Sequence, residues 1–369
     1  MSDLSYMEKL LDGVEVEWKE LETIVKTVTA PSKLNRKSYC DQGKTPIIDQ
    51  GINFIAGYTD EDLITVEDGE YTVFGDHSEH IKYVDFPFIQ GADGLKILKT
   101  NFDNAKYIYY AFQNFYKKQS SYKRHWSTAK TTLIPIPCPD DPDESLKIQA
   151  EIVRILDTFT ELTAELTAEL TARQQQYAYY RDKLLTFEEG AVEWKELGEV
   201  CESISSGKNK IKSELGLYPV FGSTGIIGRT DTKVYEKEQI LVARVGANAG
   251  RVNIATGEYD VSDNTLIVQN KDSIVLKFLY YYLVYINLNR FTKGAGQPLL
   301  TAGQLKKMLI PTPPIAEQKR IVSILDKFDA LTTSLTEGLP REIELRQQQY
   351  EYCRDLLLSF PKPEVVAHD

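Results

Sequence analysis

Apolar positions in the middle of this chain recur every three or four residues for about ten helical turns. Residues 148, 152, 155, 159, 162, 166, 170, 177, 180, 184 and 187 are apolar, which predicts one long helix with a coiled-coil seam. Pro142 marks its start. Within it, TELTAELTAELTA (160–172) is a four-residue repeat that follows Phe159 and sets Leu162, Leu166 and Leu170 on a slowly turning stripe. Consecutive steps of four unwind the supercoil locally. A second seam starts near Ala316 with Ile321, Ile324, Phe328, Leu331 and Leu335, then meets Glu337-Gly338-Leu339-Pro340. Glycine and proline there predict a break, with Pro340 beginning a restart.

Outside these seams the period shortens toward two. Residues 240–246, 251–255 and 264–270 predict strands joined by Gly- and Asn-rich turns, and 276–288 a buried helix. In the first half, 70–76, 81–89 and 95–100 match the strands and 105–118 the helix. The match reflects a duplication. VEWKEL stands at 16–21 and again at 192–197; IPIP (134–137) matches IPTP (310–313) at the same offset of 176. IQAEIVRILDTF (148–159) matches AEQKRIVSILDKF (316–328), and RQQQYAYYRDKLLTF (173–187) matches RQQQYEYCRDLLLSF (346–360). Such self-similarity decides the architecture. Residues 16–143 and 191–314 form two globular domains, and 144–190 and 315–360 two spacer helices with a break near 337–340. Residues 361–369 are a tail. The stub 1–15 repeats part of the first spacer (Tyr6–Leu11 against Tyr180–Leu185), so the arrangement is circular. The predicted fold is α+β, with an internal pseudo-two-fold repeat. Its two domains, β-rich with short helices, are separated by two long antiparallel helices. Trp18 and Trp194, in the VEWKEL copies, are expected as core anchors.

At 369 residues there is ample chain for two cores. No apolar run reaches membrane-spanning length, the start lacks a leader-like apolar stretch, and four scattered cysteines give no Cys-x-x-Cys pair. These features point to a reducing cytoplasm. The net charge of −11 speaks against a nucleic-acid binder until it is divided. Residues 104–139 hold six basic side chains and no acidic one, and 273–316 hold five and none. Local basic faces attract phosphates whatever the total charge, and these windows fall at matching places in the repeat.

Catalytic signatures fail one by one. Gly43-Lys44-Thr45 resembles the end of a phosphate loop, but Ser38 stands where its first glycine belongs. Thr312-Pro313-Pro314-Ile315 lacks the amide or carboxylate of an adenine methyltransferase tetrapeptide. Asp76-His77-Ser78-Glu79-His80 has metal-ligand residue types, yet the second copy has no equivalent. Glu144 and Lys147 have the wrong spacing for a nuclease.

Two unlike domains with basic faces on a stiff spacer form a calliper suited to two half-sites on duplex DNA. Residues able to reach phosphates and base edges are, in the first domain, Lys33, Arg36, Lys37, Lys44, Asp76, His77, Lys117, Lys118, Lys123, Arg124 and Trp126. In the second they are Lys208, Lys210, Ser223, Thr224, Arg244, Asn248, Lys293 and Gln297. The alternatives are a coiled-coil adaptor without DNA specificity and a single-chain DNA-modifying enzyme.

The paired variable domains, the IP-x-P motif followed by Glu317–Asp326, and the TAEL repeats together resemble the specificity subunit of type I restriction–modification systems. That resemblance spans essentially the whole chain. It implies a non-catalytic, DNA-binding subunit in which 16–143 and 191–314 are target recognition domains. It implies partners as well: double-stranded DNA, two modification (methyltransferase) subunits and restriction-translocase subunits, with no membrane. S-adenosylmethionine, ATP and Mg are then expected on those partners and no cofactor on this chain.

Overall fold

A computed structural model describes residues 9–119, 123–210, 213–294, 296, 298–334 and 336–361. The chain divides into two units, Met1–Glu165 with Ile343–Asp369, and Leu166–Glu342. The first contains β1 (Val16–Glu20), α1 (Leu21–Ile24), β2 (Val25–Val28), β3 (Thr45–Ile48), β4 (Gly57–Thr59), β5 (Tyr71–Gly75), β6 (Ile81–Val84), β7 (Ile89–Gln90), β8 (Leu95–Thr100), α2 (Ala105–Phe115), α3 (Trp126–Ala129) and β9 (Leu133–Pro137). The long helix α4 (Pro142–Leu185) follows without interruption. The second unit repeats the order: β10 (Glu193–Glu196), α5 (Leu197–Val200), β11 (Cys201–Ser206), β12 (Tyr218–Gly222), β13 (Gly225–Thr230), β14 (Gln239–Ala243), β15 (Val252–Ala255), β16 (Asp260–Val261), β17 (Thr265–Asn270), α6 (Leu276–Tyr285), α7 (Ala302–Lys306), β18 (Leu309–Thr312) and α8 (Ile315–Thr333). The last helix is α9 (Leu339–Leu357).

The sheets are duplicated strand for strand. One four-stranded sheet has the order β2-β8-β5-β6 and its counterpart β11-β17-β14-β15. The three-stranded sheets are β4-β3-β7 and β13-β12-β16, each with one parallel pairing. VEWKEL supplies β1 and β10, which pair with the IP-x-P strands in the same register, Trp18 opposite Pro135 and Trp194 opposite Pro311. Proline is tolerated because these ladders have only two strands, so its missing N–H can face outward. β5 and β14 are buried along their whole length, which is why neither shows the alternation of apolar and polar positions seen in half-exposed strands.

Each unit closes its core with helix. In the first, Ile148, Ile152, Ile155 and Leu156 of α4 and Cys353 and Leu357 of α9 join Phe74, Tyr107 and Phe112. In the second, Ile321 and Leu325 of α8 join Leu185, Phe278 and Leu283, while Tyr177 and Tyr180 stack on Phe328 with ring centroids 5.9 and 5.7 Å apart. α4 leaves the first β-rich domain from its start and α9 ends in that domain's core, while α4 ends in the second core and α8 starts there, so within each unit the pair is antiparallel. Leu162, Leu166, Leu170 and Leu331 are half-buried. Thr163 and Thr171 return their hydroxyls to carbonyls one turn back, which disposes of polar groups without widening the helix. Leu335 lies outside the described residues. The break falls where expected, α8 ending at Thr333 and α9 starting at Leu339. Gly338 has φ +81° there, and a Cβ would collide with the carbonyl oxygen of Ala330.

The two helix roots carry the same fastenings. Tyr110 donates to Asp157 at 2.7 Å and Lys106 pairs with it at 2.8 Å; Tyr281 and Lys277 hold Asp326 at the same distances. Burial, then these carboxylates, pushes both phenols well above the ordinary tyrosine range. Buried Gln149 accepts the Asn104 amide at 2.8 Å and buried Gln318 the Val275 amide at 2.7 Å, at the starts of α2 and α6.

Two expectations need correction. Trp194 is 41 % exposed, touching Tyr282 edge-on, and anchors no core. Trp18 does pack, against Phe115, and its Nε1 donates to the Pro361 carbonyl at 2.7 Å. Residues 81–89 form two strands, β6 and β7, because Pro87 interrupts the ladder. Of the stub, residues 6–8 lie outside the described residues, and Leu10 and Leu11 pack on the first core.

Candidate nucleic-acid interface

Hydrogen bonds gather several of the first domain's candidate residues into one loop cluster. Asp76 follows β5, is 5 % exposed, and spends Oδ1 on the backbone amides of His125 and Trp126 at 2.9 and 2.8 Å. It therefore shapes the start of α3 from inside. The His77 amide donates to Gln50 Oε1, Gln50 Nε2 donates to the Asp93 carbonyl, and Asp93 pairs with Lys33 at 3.2 Å. Glu79, at φ +57° and buried, accepts from the Tyr116 hydroxyl at 2.6 Å and the Gln119 amide at 2.7 Å, with His125 Nδ1 3.4 Å away. Burial and that carboxylate raise the Tyr116 phenol. Exposed Lys117, Lys118, Lys123 and Arg124 thus flank anchored positions, and half-buried Trp126 packs on Phe74. Buried Lys82 of β6 donates to the carbonyls of Asp49 and Asn53, and burial lowers its pKa.

Arg36, Lys37 and Lys44 are exposed and fall outside this cluster, the first two in a single turn and the third at the start of β3. Residues 120–122 are not among the described ones.

The second domain builds its cluster on the equivalent frame. Gly207 follows β11, where a Cβ would run into the Val261 carbonyl, and this close approach seats Lys208, Asn209 and Lys210 beside β16. Lys208 and Lys210 are exposed, while Asn209 bonds to Asp260 at 2.7 Å. Ser223 and Thr224 form the two-residue turn between β12 and β13, closed by Gly225 at φ +105°. Arg244 follows β14, with its amide bonded to the Asn264 carbonyl and its carbonyl to the Leu300 amide. Val245 and Lys293 both bridge to Leu299, which brings Arg244, half-buried Asn248 and exposed Lys293 together. Gln297 lies outside the described residues.

Asp76, expected to reach DNA, is buried and consumed by backbone amides, as Glu79 is buried beside it, and the fastenings at 157 and 326 were missed by sequence reasoning. The repeat held the signal for the latter, since Lys106 and Tyr110 share the Lys-x-x-x-Tyr spacing of Lys277 and Tyr281. Among the described residues no three His, Cys, Asp or Glu side chains gather as a metal site. Burial pushes Cys201 up to about 12, far from a thiolate at neutral pH. No described helix is long and apolar enough to cross a membrane.

Comparison with known proteins places this geometry in a family. The profile described as the type I restriction modification DNA specificity domain matches twice, at residues 13–173 and 191–345. The chain is 42 % identical to the EcoR124I/EcoR124II type I restriction enzyme specificity subunit of Escherichia coli, with all of both chains covered. It is 35 % identical to the EcoprrI specificity subunit of the same organism, covering 91 % of this chain and 93 % of that one. In fold it is similar to the S subunit of a type I restriction–modification system from M. genitalium, with a TM-score of 0.65, 17 % identity, and 95 % and 98 % of the two chains covered. With two profile matches and full-length relatives, this chain belongs to the type I restriction–modification DNA specificity family.

Proposed function

We propose that the chain is the non-catalytic, sequence-reading subunit of a type I restriction–modification complex acting in the cytoplasm. Each β-rich domain reads one half of a bipartite, asymmetric DNA site. The helices set the gap and dock two methyltransferase subunits, which carry S-adenosylmethionine; restriction-translocase subunits with ATP and Mg join that complex. One observation carries the reading: two loop clusters stand on frames of identical strand order and present different side chains. A shared frame with unlike loops suits two unlike half-sites. The root of α4 adds support for docking, since a groove of about 920 Å³ there exposes Phe102 and Leu146. Apolar surface of this kind marks protein interfaces.

The test is an exchange of residues 192–314 for the corresponding domain of a relative, followed by mapping of methylated bases in cells that carry the partner subunits. One half-site should change while the other half and the gap stay fixed. A change in both halves, or in neither, refutes the proposal.

A further inference from the structure

Asp76 and Arg244 occupy the same place in the two copies. Each follows the last residue of the central buried strand, β5 or β14. The amide of each donates to the carbonyl just before the neighbouring strand (Gly94 or Asn264), and the carbonyl of each accepts from the residue that leads into α3 or α7 (His125 or Leu300). The backbone is thus clamped identically while the side chains carry opposite charge. In the first copy the carboxylate caps α3 through the His125 and Trp126 amides. In the second that task passes to Thr301, whose Oγ1 accepts the Gln304 amide at the start of α7. Position 244 is released from structural duty.

What stands there costs stability. Arg244 is half-buried, its Nε is buried without a hydrogen-bond partner, and the described residues include no ion pair to it. A guanidinium so placed lacks an acceptor that the protein does not supply. We infer that Arg244 is the base-reading residue of the second domain and that it donates to the O6 and N7 of a guanine in that domain's half-site. Phosphate is the other possible acceptor. Both half-sites present the same backbone, however, so a phosphate contact has no reason to differ between copies, whereas a base contact does. The double clamp also fixes the Cα, as a bidentate reader requires. In the loop that follows, Gly246 and Gly250 take φ +79° and +90°, and the backbone at Gly250 packs too closely on Leu288 and Asn289 to admit a side chain.

This inference rests on the DNA-recognition reading. Its test uses the complex assembled with its methyltransferase subunits, S-adenosylmethionine and a duplex library randomised in both half-sites. The wild-type motif should contain a G·C pair in the half that follows domain 192–314. Arg244→Ala and Arg244→Met should relax that pair alone, losing roughly 5- to 150-fold discrimination, and leave the other half and the salt slope of binding unchanged. Arg244→Met should also melt at or above the wild-type temperature, which a structural role would not allow. The inference is overturned by an unchanged motif, by a half-site without G·C, or by a melting point lowered with the motif intact. A uniform loss of binding with a shallower salt slope assigns Arg244 to phosphate and overturns it too. A wild-type complex with no motif at all defeats the DNA-recognition reading first.

Discussion

The fastening at Asp326 allows two effects to be weighed against each other. The carboxylate receives the Lys277 ammonium and the Tyr281 hydroxyl at nearly equal distances, 2.8 and 2.7 Å, but in different surroundings. The Lys277 and Asp326 side chains are 46 % and 35 % exposed, whereas Tyr281 is 5 % exposed. Water screens the ion pair, which should contribute at most about 1 kcal/mol. Among the described residues the phenol donates only to this carboxylate, and a hydrogen bond to a charged group is worth about 1.5–3 kcal/mol. Double-mutant cycles separate the two: Tyr281→Phe with Asp326→Ala should couple by about 2 kcal/mol, and Lys277→Ala with Asp326→Ala by less than about 1. Urea unfolding followed by fluorescence reads the second unit selectively when Trp18→Phe and Trp126→Phe leave Trp194 as the sole tryptophan. A lysine coupling equal to or larger than the tyrosine coupling would refute the reasoning, because it would mean that exposure does not decide the ranking.

Deleting Thr167–Leu170 shortens α4 by about 6 Å, or one to two base-pair steps, and should change the gap of the methylated site with both half-sites unaltered; an unchanged gap removes the spacer role. Charge reversal at Lys117, Lys118, Lys123 and Arg124 should weaken DNA binding and flatten its dependence on salt, which titrations at several ionic strengths would test. Gly338→Ala should cost about 1–3 kcal/mol from the positive φ and the crowding against Ala330, measured by thermal unfolding. Burial raises Tyr107, Tyr110, Tyr116 and Tyr281 above the ordinary value of 10.0. Their folded-state pKa values exceed the unfolded ones, so the stability they lend is complete below about pH 10 and drains away as pH rises toward the folded values. Melting temperatures between pH 8 and 11 should stay level and then fall.

The parts legible from sequence were those written locally. β8 matches residues 95–100 end to end, and the Gly338–Pro340 break follows from backbone chemistry alone. β1 and β9 escaped because their residues lie over a hundred positions apart and two of the five residues of β9 are proline. The three-stranded sheets escaped because strands as short as Gly57–Thr59 show no period. In the interface, exposed lysines were found by charge, but charge alone does not distinguish Asp76, consumed by two amides, from a carboxylate facing solvent. Nor could spacing show that Asp76 and Arg244 share a position, since the loops earlier in the two domains differ in length and the offset falls from 176 at VEWKEL to 168 there.

The bond from Trp18 to Pro361, with Cys353 and Leu357 in the first core, means that the first domain is finished by residues made after the whole of the second. On the ribosome, residues 166–342 can collapse as soon as they emerge, while the earlier-synthesised domain waits for 343–361 to clear the exit tunnel. A premature stop between codons 343 and 361 should therefore injure the head encoded first and spare the one encoded second.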